Sequence, residues 1–175
     1  MKEIEIVTFD GIGNIKLGMT QESVREVIGS PADNIPAHTN AGIEFPESDY
    51  FLESAIQVTY ESKTGLVNWI GINDNAPFNL NFKGLNLFKS EVQKVVAHTE
   101  KYGALDTEDA ELGYSYCFPM LGICFWRSSK TDDLINELED AEDDEERRCL
   151  LEDIEKSKYF QQISVFIKEY WDEKS

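Results

Sequence analysis

The feature that most restricts the fold is an order of patterns that occurs twice, an amphipathic helix followed by strand-like alternation. The first helix pattern lies in IKLGMTQESVREVIGSP, residues 15–31. Thr20 can accept hydrogen bonds from the first turn, and Gly29 is a typical stop signal. Three apolar residues share one face of this predicted helix, Val24, Val27 and Ile28.

A second copy of the helix pattern lies in LNLFKSEVQKVVAHTEKYG, residues 85–103, and ends at Gly103. It aligns with the first copy at an offset of 68 residues. The matched apolar pairs are Leu17 with Leu85, Val24 with Val92, and Val27 with Val95. Internal similarity of this kind indicates a duplicated structural unit.

Each helix pattern is followed by alternating apolar and polar residues, which is typical of β-strands. Residues 52–74 predict a hairpin around a turn at Ser62 to Gly65. In the second half, residues 114–129 and 159–171 predict the strands. Ile123 and Phe125 there correspond to Ile56 and Val58 of the first hairpin.

We therefore predict an α+β fold of two pseudo-repeated units, each a helix packed on an antiparallel β-sheet. The first unit covers residues 1–76 and the second covers residues 77–175, within one compact domain. The short turn of the first unit corresponds to residues 127–159 of the second. This segment is predicted to be a helical insertion at a hairpin tip.

The predicted insertion is strongly acidic, since 13 of the 24 residues 132–155 are Asp or Glu. Acidic runs are most often solvated faces, but like charges one turn apart destabilise a helix. We predict a helix that starts at Thr131, a break within Glu142 to Arg147, and a second short helix. The break is expected because two apolar groups would lie on opposite sides of one straight helix, namely Leu134, Leu138 and Ala141, and Leu150, Leu151 and Ile154.

The balance of acidic and basic residues restricts the classes of molecule that the protein can bind. With 34 Asp and Glu against 16 Lys and Arg, the net charge is −18. Such a chain repels phosphate backbones and anionic lipids, so direct binding to nucleic acid or membrane is not expected. A strongly basic protein partner would be attracted.

No motif for catalysis, metal binding or cofactor binding is present in the sequence. The two histidines, His38 and His98, lie outside any metal-ligand spacing, and the glycines of DGIGNIKLG, residues 10–18, lack the dinucleotide-binding spacing. We expect no enzyme activity, no catalytic residue, no metal and no cofactor. The oligomeric state is left open.

The amino-terminal residues lack a signal-peptide pattern, and no window is apolar enough for a membrane span, so a cytoplasmic location is predicted. The three cysteines, Cys117, Cys124 and Cys149, are an odd number without a C-x-x-C spacing. We expect reduced thiols, with Cys117 and Cys124 in strands.

The stretch IKLGMTQESVREVIGSP resembles the "lGM-(S/T)-xx-eV-xx-lG-xP" motif of a small helix-plus-sheet module. This module occurs in β-lactamase inhibitor proteins and in the SmpA/OmlA outer-membrane assembly lipoproteins. The resemblance covers residues 15–31 and extends loosely to the hairpin at residues 55–73. Tandem copies imply a concave sheet surface that binds another protein.

The whole chain also resembles in profile the immunity proteins of bacterial contact-dependent growth inhibition and related polymorphic toxin systems. Those proteins are small, acidic and cytoplasmic, and they neutralise a toxin domain that is very often a basic nuclease. This resemblance implies a non-enzymatic inhibitor. The main alternative is a structural or adaptor domain that holds a partner on its sheet while the acids only keep it soluble. A third, less favoured alternative is a hydrolase that uses Asp or Glu with His38 or His98.

Under the inhibitor interpretation, carboxylates of the insertion contact the basic partner, and aromatic residues at its base are anchors. The predicted anchors are Trp126 and Tyr159. For the tryptophans Trp69, Trp126 and Trp171, core packing remains the alternative. The predicted electrostatic contacts are Asp132, Asp133, Glu137, Glu139, Asp140, Glu142, Asp143 and Asp144.

Overall fold

The structure is a computed structural model that describes residues 1–170. Trp171, which the sequence places at the end of a strand, lies outside the described residues. The helices are α1 (Gln21–Ile28), α2 (Val92–Thr99), α3 (Thr131–Glu139) and α4 (Asp144–Ser157), and residues 168–170, predicted as part of a strand, are also helical. The strands are β1 (Lys2–Val7), β2 (Gly11–Ile12), β3 (Ile15–Lys16), β4 (Asp33–Ile35), β5 (His38–Asn40), β6 (Ile43–Phe45), β7 (Ser48–Phe51), β8 (Ile56–Tyr60), β9 (Val67–Asn73), β10 (Phe78–Phe82), β11 (Leu85–Asn86), β12 (Ser115–Phe118), β13 (Ile123–Trp126) and β14 (Gln162–Phe166).

The predicted α+β class is confirmed, and the chain is mostly sheet. The large sheet has seven strands in the order β12-β13-β14-β9-β8-β7-β4, and all its pairs are antiparallel. It consists of two three-stranded meanders, β7-β8-β9 and β12-β13-β14, which meet where β9 pairs with β14. The predicted hairpin of residues 52–74 is the β8-β9 pair. A two-stranded ribbon, β5-β6, forms a separate sheet.

A second, five-stranded sheet has the order β11-β10-β1-β2-β3. In it, β1 and β10 are parallel, with Lys2 opposite Phe78. The prediction of purely antiparallel sheets is therefore wrong at this pair. Parallel neighbours need a long crossover connection, and the chain between β1 and β10 provides one.

The first helix begins and ends as predicted. The Thr20 hydroxyl accepts a hydrogen bond from the Ser23 backbone N–H at 3.2 Å, and Gly29 caps the helix with a φ of 104°. Val24 is fully buried, but Val27 is 46% exposed, so the predicted apolar face is narrower than expected.

The second helix is displaced relative to the predicted alignment. α2 begins at Val92, so its fourth residue, Val95, stands at the helix position of Val24. Both of these valines are fully buried. The helix starts are 71 residues apart rather than 68, because the turn that precedes α2 is longer.

The core lies between one face of the large sheet and a layer made of α1, α2 and the smaller sheet. Alternate strand positions supply it, because successive side chains of a strand point to opposite faces. The large sheet contributes Ile56, Val58, Ile70, Ile72, Ile123, Phe125, Ile163 and Val165. The covering layer contributes Val24, Val92, Val95, Ile6, Ile12, Leu80 and Phe82.

The predicted state of two cysteines is wrong. Cys117 of β12 and Cys124 of β13 lie in strands, as expected, but they form a disulfide. They are directly opposite each other in the strand register, with Cα atoms 4.1 Å apart. The cysteine spacing gave no sign of this pairing, which results from the hairpin register. Cys149 is a free, exposed thiol.

The acidic insertion joins β13 to β14, which are antiparallel neighbours. It contains α3 and α4, so two helices are present and the first begins at Thr131, as predicted. The break covers residues 140–143 and thus begins earlier than expected. The two helices lie against each other. Leu134 of α3 and Ile154 of α4 are buried, whereas Leu151 is 49% exposed.

None of the helices within residues 1–170 combines the length and the apolar composition that crossing a bilayer requires.

Candidate partner-binding surfaces

The acidic helix pair, residues 131–157, displays its carboxylates to solvent. All eight acids predicted as partner contacts are exposed. Within residues 1–170, none of the eight takes part in an ion pair; the ion pairs of this region join Lys156 to Asp153 and Lys158 to Glu155. The structure therefore leaves the predicted contact carboxylates accessible to a basic surface.

One of the eight acids also has a structural role. The Asp143 carboxylate caps α4 by accepting a hydrogen bond from the Glu146 backbone N–H at 2.8 Å. In return, the Glu146 carboxylate accepts from the Glu142 backbone N–H at 2.8 Å. This reciprocal arrangement resembles a capping box and defines the break between the helices. Asp143 is thus needed for the shape of the helix pair.

The two predicted anchors are not brought together. Trp126, 40% exposed, lines a cavity with Trp69 and Gln162, while half-buried Tyr159 lines another with Phe78 and Phe160. The two cavities have no lining residue in common. The reason is that Trp126 is on the sheet face opposite the core, whereas Tyr159 follows α4 toward the smaller sheet. They cannot anchor one partner group jointly.

Trp126 belongs to a surface that the sequence did not reveal, the face of the large sheet that points away from the core. We call it the aromatic face. Two neighbouring cavities of about 220 and 400 Å³ lie along it and share Trp69, Gln162 and Tyr170. Among the described residues that line these cavities there is no Asp, Glu, Lys or Arg. The remaining lining residues are Ile35, His38, Phe45, Pro46, Ser48, Tyr50, Gln57, Thr59, Ser115, Cys117, Cys124, Trp126, Ser164 and Phe166.

Small residues shape this aromatic face. The Trp69 indole lies across Gly71, where an added Cβ would be 2.2 Å from the indole Cη2. Ser48 and Thr59 are buried, and their hydroxyls are 3.0 Å apart. Aromatic side chains with small hydroxyl and amide groups are a composition that suits protein recognition. The only sequence signal for this face was the polar half of each alternating strand.

A buried carboxylate, Asp49, lies at the other end of the large sheet. It accepts hydrogen bonds from Arg25 Nε at 2.9 Å and Nη2 at 2.8 Å, from Asn34 Nδ2 at 2.7 Å and from the Tyr60 hydroxyl at 3.0 Å. Asp49 is fully buried. These contacts join α1 to β4, β7 and β8, so the group holds the first helix on the sheet.

The hydrogen bonds determine how Asp49 ionises. Burial alone raises the pKa of Asp49, but the hydrogen bonds from Arg25, Asn34 and Tyr60, with the charge of Arg25, outweigh it. The pKa of Asp49 therefore lies below its ordinary value of 3.8. Burial and the adjacent Asp49 carboxylate raise the pKa of Tyr60. Asp49 is thus ionised and fully engaged, and it has the properties of a structural group.

The histidines are engaged with the backbone. His38 Nδ1 is 3.0 Å from the Pro36 carbonyl oxygen, and its ring stacks on Phe45. His98 Nε2, near the end of α2, is 3.1 Å from the Phe82 carbonyl oxygen. Within residues 1–170, no group of three or more His, Cys, Asp or Glu side chains is placed to hold a metal ion.

Comparison of the chain with protein-family models, with curated proteins and with solved structures gave no match.

Proposed function

We propose that this protein is a non-enzymatic immunity protein that binds and neutralises a basic toxin domain, such as a nuclease toxin of a contact-dependent growth inhibition system. The observation that carries the proposal is the acidic helix pair. It presents eight exposed carboxylates that have no cationic partner among the described residues, in a chain of net charge −18. A surface optimised for stability alone would include more lysine at these positions.

The chemistry of nucleases supports this choice of partner. A nuclease cleft is cationic because it holds phosphates, so it complements an array of carboxylates. Two proteins with electrostatic fields of opposite sign associate much faster at low salt. Close charge pairs across an interface have interaction energies of a few kcal/mol. The inhibitor would act by covering or overhanging the cleft, without chemistry of its own.

The proposal includes a fold made of two pseudo-repeated units. The order α1 then β7-β8-β9 is matched by the order α2 then β12-β13-β14, which supports the duplication. The acidic helix pair then occupies the position of the short β8-β9 turn. The smaller sheet combines strands from both halves, and an antiparallel pair of it precedes each helix, β2-β3 before α1 and β10-β11 before α2.

A cytoplasmic location also belongs to the proposal. Disulfides are rare in a reducing cytoplasm, so the Cys117–Cys124 pair weighs against this part of it. Because the structure pairs these two sulfurs, alkylation of freshly lysed cells should modify Cys149 alone. Recovery of the protein outside the cytoplasmic fraction of the same cells would contradict the proposed location.

Affinity capture from the source organism tests the function directly. The tagged protein is incubated with lysate, washed in a series of salt concentrations, and the retained proteins are identified by mass spectrometry. We expect one basic toxin fragment, bound tightly but associating more slowly as salt rises, because exposed charges are screened. Capture of a housekeeping assembly, or of no protein across several conditions, would contradict the inhibitor function.

Charge reversal then tests the role of the helix pair. The triple variant Glu137→Lys, Glu139→Lys, Asp140→Lys changes the net charge from −18 to −12 and leaves the Asp143 cap intact. We expect slower association with the captured toxin and a weaker salt dependence. The control Glu26→Lys, Glu53→Lys, Glu108→Lys changes the net charge equally at exposed sites elsewhere. Equal association rates for the two variants would remove the helix pair from the interface.

A second candidate function is an adaptor that holds its partner on the aromatic face, and the absence of charged side chains from the cavities there favours it. In that case Trp126→Ala would weaken binding about tenfold or more, as expected for a central aromatic contact. Salt would have little influence. The exposed control Met120→Ala, in a turn outside this face, would bind normally. Normal binding by Trp126→Ala would eliminate this candidate.

A further inference from the structure

The acidic helix pair is connected to the sheet through a narrow neck. We define the neck as residues 126–131, where the chain leaves β13, and residues 157–161, where it returns toward β14. The hydroxyls of Thr131, at the start of α3, and Ser157, at the end of α4, are 2.9 Å apart. Ser157 is 1% exposed. The two ends of the helix pair are therefore closed on each other.

Arg127 lies at the centre of this neck. Its Nε donates to the Gly113 carbonyl oxygen at 2.7 Å, and its Nη1 donates to the Ser157 carbonyl oxygen at 3.0 Å. Its Nη2 donates to the Tyr116 hydroxyl at 3.2 Å, and Nη1 is 3.4 Å from the Thr131 hydroxyl. A planar guanidinium presents donors in several fixed directions, which suits it to joining groups from different elements.

Backbone contacts complete the neck. The Gln161 N–H donates to the Trp126 carbonyl oxygen at 2.9 Å, and the Gln161 side-chain oxygen accepts from the Ser128 N–H at 2.7 Å. The Val92 N–H, at the start of α2, donates to the Lys158 carbonyl oxygen at 2.9 Å. These bonds secure the two chain segments, whereas Arg127 is the side chain that links both helices to β12 and to the loop before it.

Residues 131–157 contribute no side chain to the main hydrophobic core of the protein. The buried residues of the helix pair are Leu134 of α3 and Ile154 and Ser157 of α4. Neither Leu134 nor Ile154 belongs to the main hydrophobic core. The direction in which the pair projects from the sheet is then determined mainly by the polar contacts of the neck.

We propose that Arg127 is a positioning residue, which holds the acidic helix pair in one orientation relative to the large sheet. It does so by satisfying acceptors on α3, α4, β12 and the preceding loop at once. The consequence for binding rests on the proposed function. Carboxylates held in a fixed array suit a folded basic surface, because they lose little conformational entropy when they bind it.

A distance measurement between two spin labels tests this proposal without any partner. One nitroxide is attached to the native exposed Cys149 on α4, and the second to Lys63→Cys in the exposed β8-β9 turn. Cys117 and Cys124 are kept as the disulfide. Pulsed electron paramagnetic resonance should give one narrow distance distribution. In Arg127→Ala we expect the narrow peak to be lost and replaced by a broad distribution.

The matched control is Arg147→Ala, which removes the same charge from an exposed position of α4 outside the neck. It should retain the narrow peak. If Arg127→Ala does not fold, Arg127→Lys keeps the charge but cannot reach acceptors in several directions, so it should broaden the distribution as well. A folded Arg127→Ala or Arg127→Lys with a peak as narrow as that of Arg147→Ala would overturn the proposal.

The outcome is independent of the proposed function. Failure to capture a toxin would leave a narrow wild-type peak and a broad Arg127→Ala distribution unchanged. Where a toxin is captured, Arg127→Ala should dissociate faster from it. A pure charge effect would instead accelerate association, because this substitution removes a positive charge from an acidic inhibitor. Unchanged dissociation would contradict the role of Arg127 in binding.

Discussion

The same chemical group, a carboxylate, has opposite surroundings at the two ends of this protein. Asp49 is fully buried and accepts hydrogen bonds from Arg25, Asn34 and Tyr60. On the acidic helix pair the carboxylates are exposed, and the eight predicted contacts have no cationic partner within residues 1–170. The first arrangement stabilises the fold, and the second leaves charge available for another molecule.

The difference shows that the number of carboxylates in a region does not by itself indicate whether they stabilise the fold or bind another molecule. Removing a buried, engaged carboxylate leaves its donors unsatisfied, whereas removing an exposed one relieves repulsion among its neighbours. Substitutions at the two ends should therefore change stability by different amounts and even in opposite directions.

The largest effect is expected at Asp49. Asp49→Asn removes the ion pair with Arg25, which has a half-exposed side chain, and weakens several charged hydrogen bonds. We expect a loss of about 2 to 3 kcal/mol in the free energy of unfolding, measured by urea denaturation. The control Asp140→Asn on the helix pair should stay within about 0.5 kcal/mol of wild type. Equal losses for the two variants would contradict the comparison.

The dependence of stability on pH should separate the same two variants. Because the pKa of folded Asp49 lies below its unfolded value of 3.8, its contribution is fully present above pH 4. It is lost as pH falls through the lowered pKa of the folded state. The difference in unfolding free energy between wild type and Asp49→Asn should thus be constant from pH 5 to pH 7 and shrink in more acidic buffers. A difference that grew on acidification would refute the assigned shift.

A smaller effect is expected at the cap of α4. Asp143→Ala removes the acceptor for the Glu146 N–H, which should cost about 1 kcal/mol of local helix stability. Amide hydrogen exchange in the first turn of α4 would detect it. Asp140→Ala removes a nearby carboxylate that has no such cap bond, and exchange in α4 should remain close to wild type.

The smallest effect has the opposite sign. The last turn of α3 has no basic residue. Glu139→Lys places a positive charge there, near the negative end of the helix dipole, and should raise the unfolding free energy by about 0.5 kcal/mol. A rise in the thermal midpoint would show that Glu139 does not stabilise the fold. A fall would indicate that Glu139 has a structural role.

Local signals in the sequence predicted a substantial part of the fold. Thr20 and Gly29 marked the ends of α1 because caps depend on residues adjacent in the chain. The alternation of residues 52–74 predicted the β8-β9 hairpin for the same reason. The predicted insertion and its two helices followed from the positions of apolar residues, although the break began earlier, at Asp140, and ends at the α4 cap Asp143.

The predictions that the structure overturned concern contacts between segments far apart in the chain. The parallel pairing of β1 with β10 joins residues about 76 positions apart, and no local pattern carries that information. The disulfide depended on the register of β12 and β13, because a shift of one residue would move one cysteine to the other face. Trp126 and Tyr159, which are close to the insertion in the chain, line separate cavities, because Trp126 is on the outer face of the large sheet and Tyr159 follows α4 toward the smaller sheet.

The sequence by itself determined the α+β class, the acidic helix pair and the net charge of −18, since these follow from local periodicity and composition. Only the tertiary structure decided which polar residues meet. It buried Asp49 among three donors, assembled an uncharged aromatic face from alternate positions of several strands, and placed Arg127 between two helices and a sheet. These sites depend on contacts between segments far apart in the chain, and such contacts form only when the sheets and helices pack.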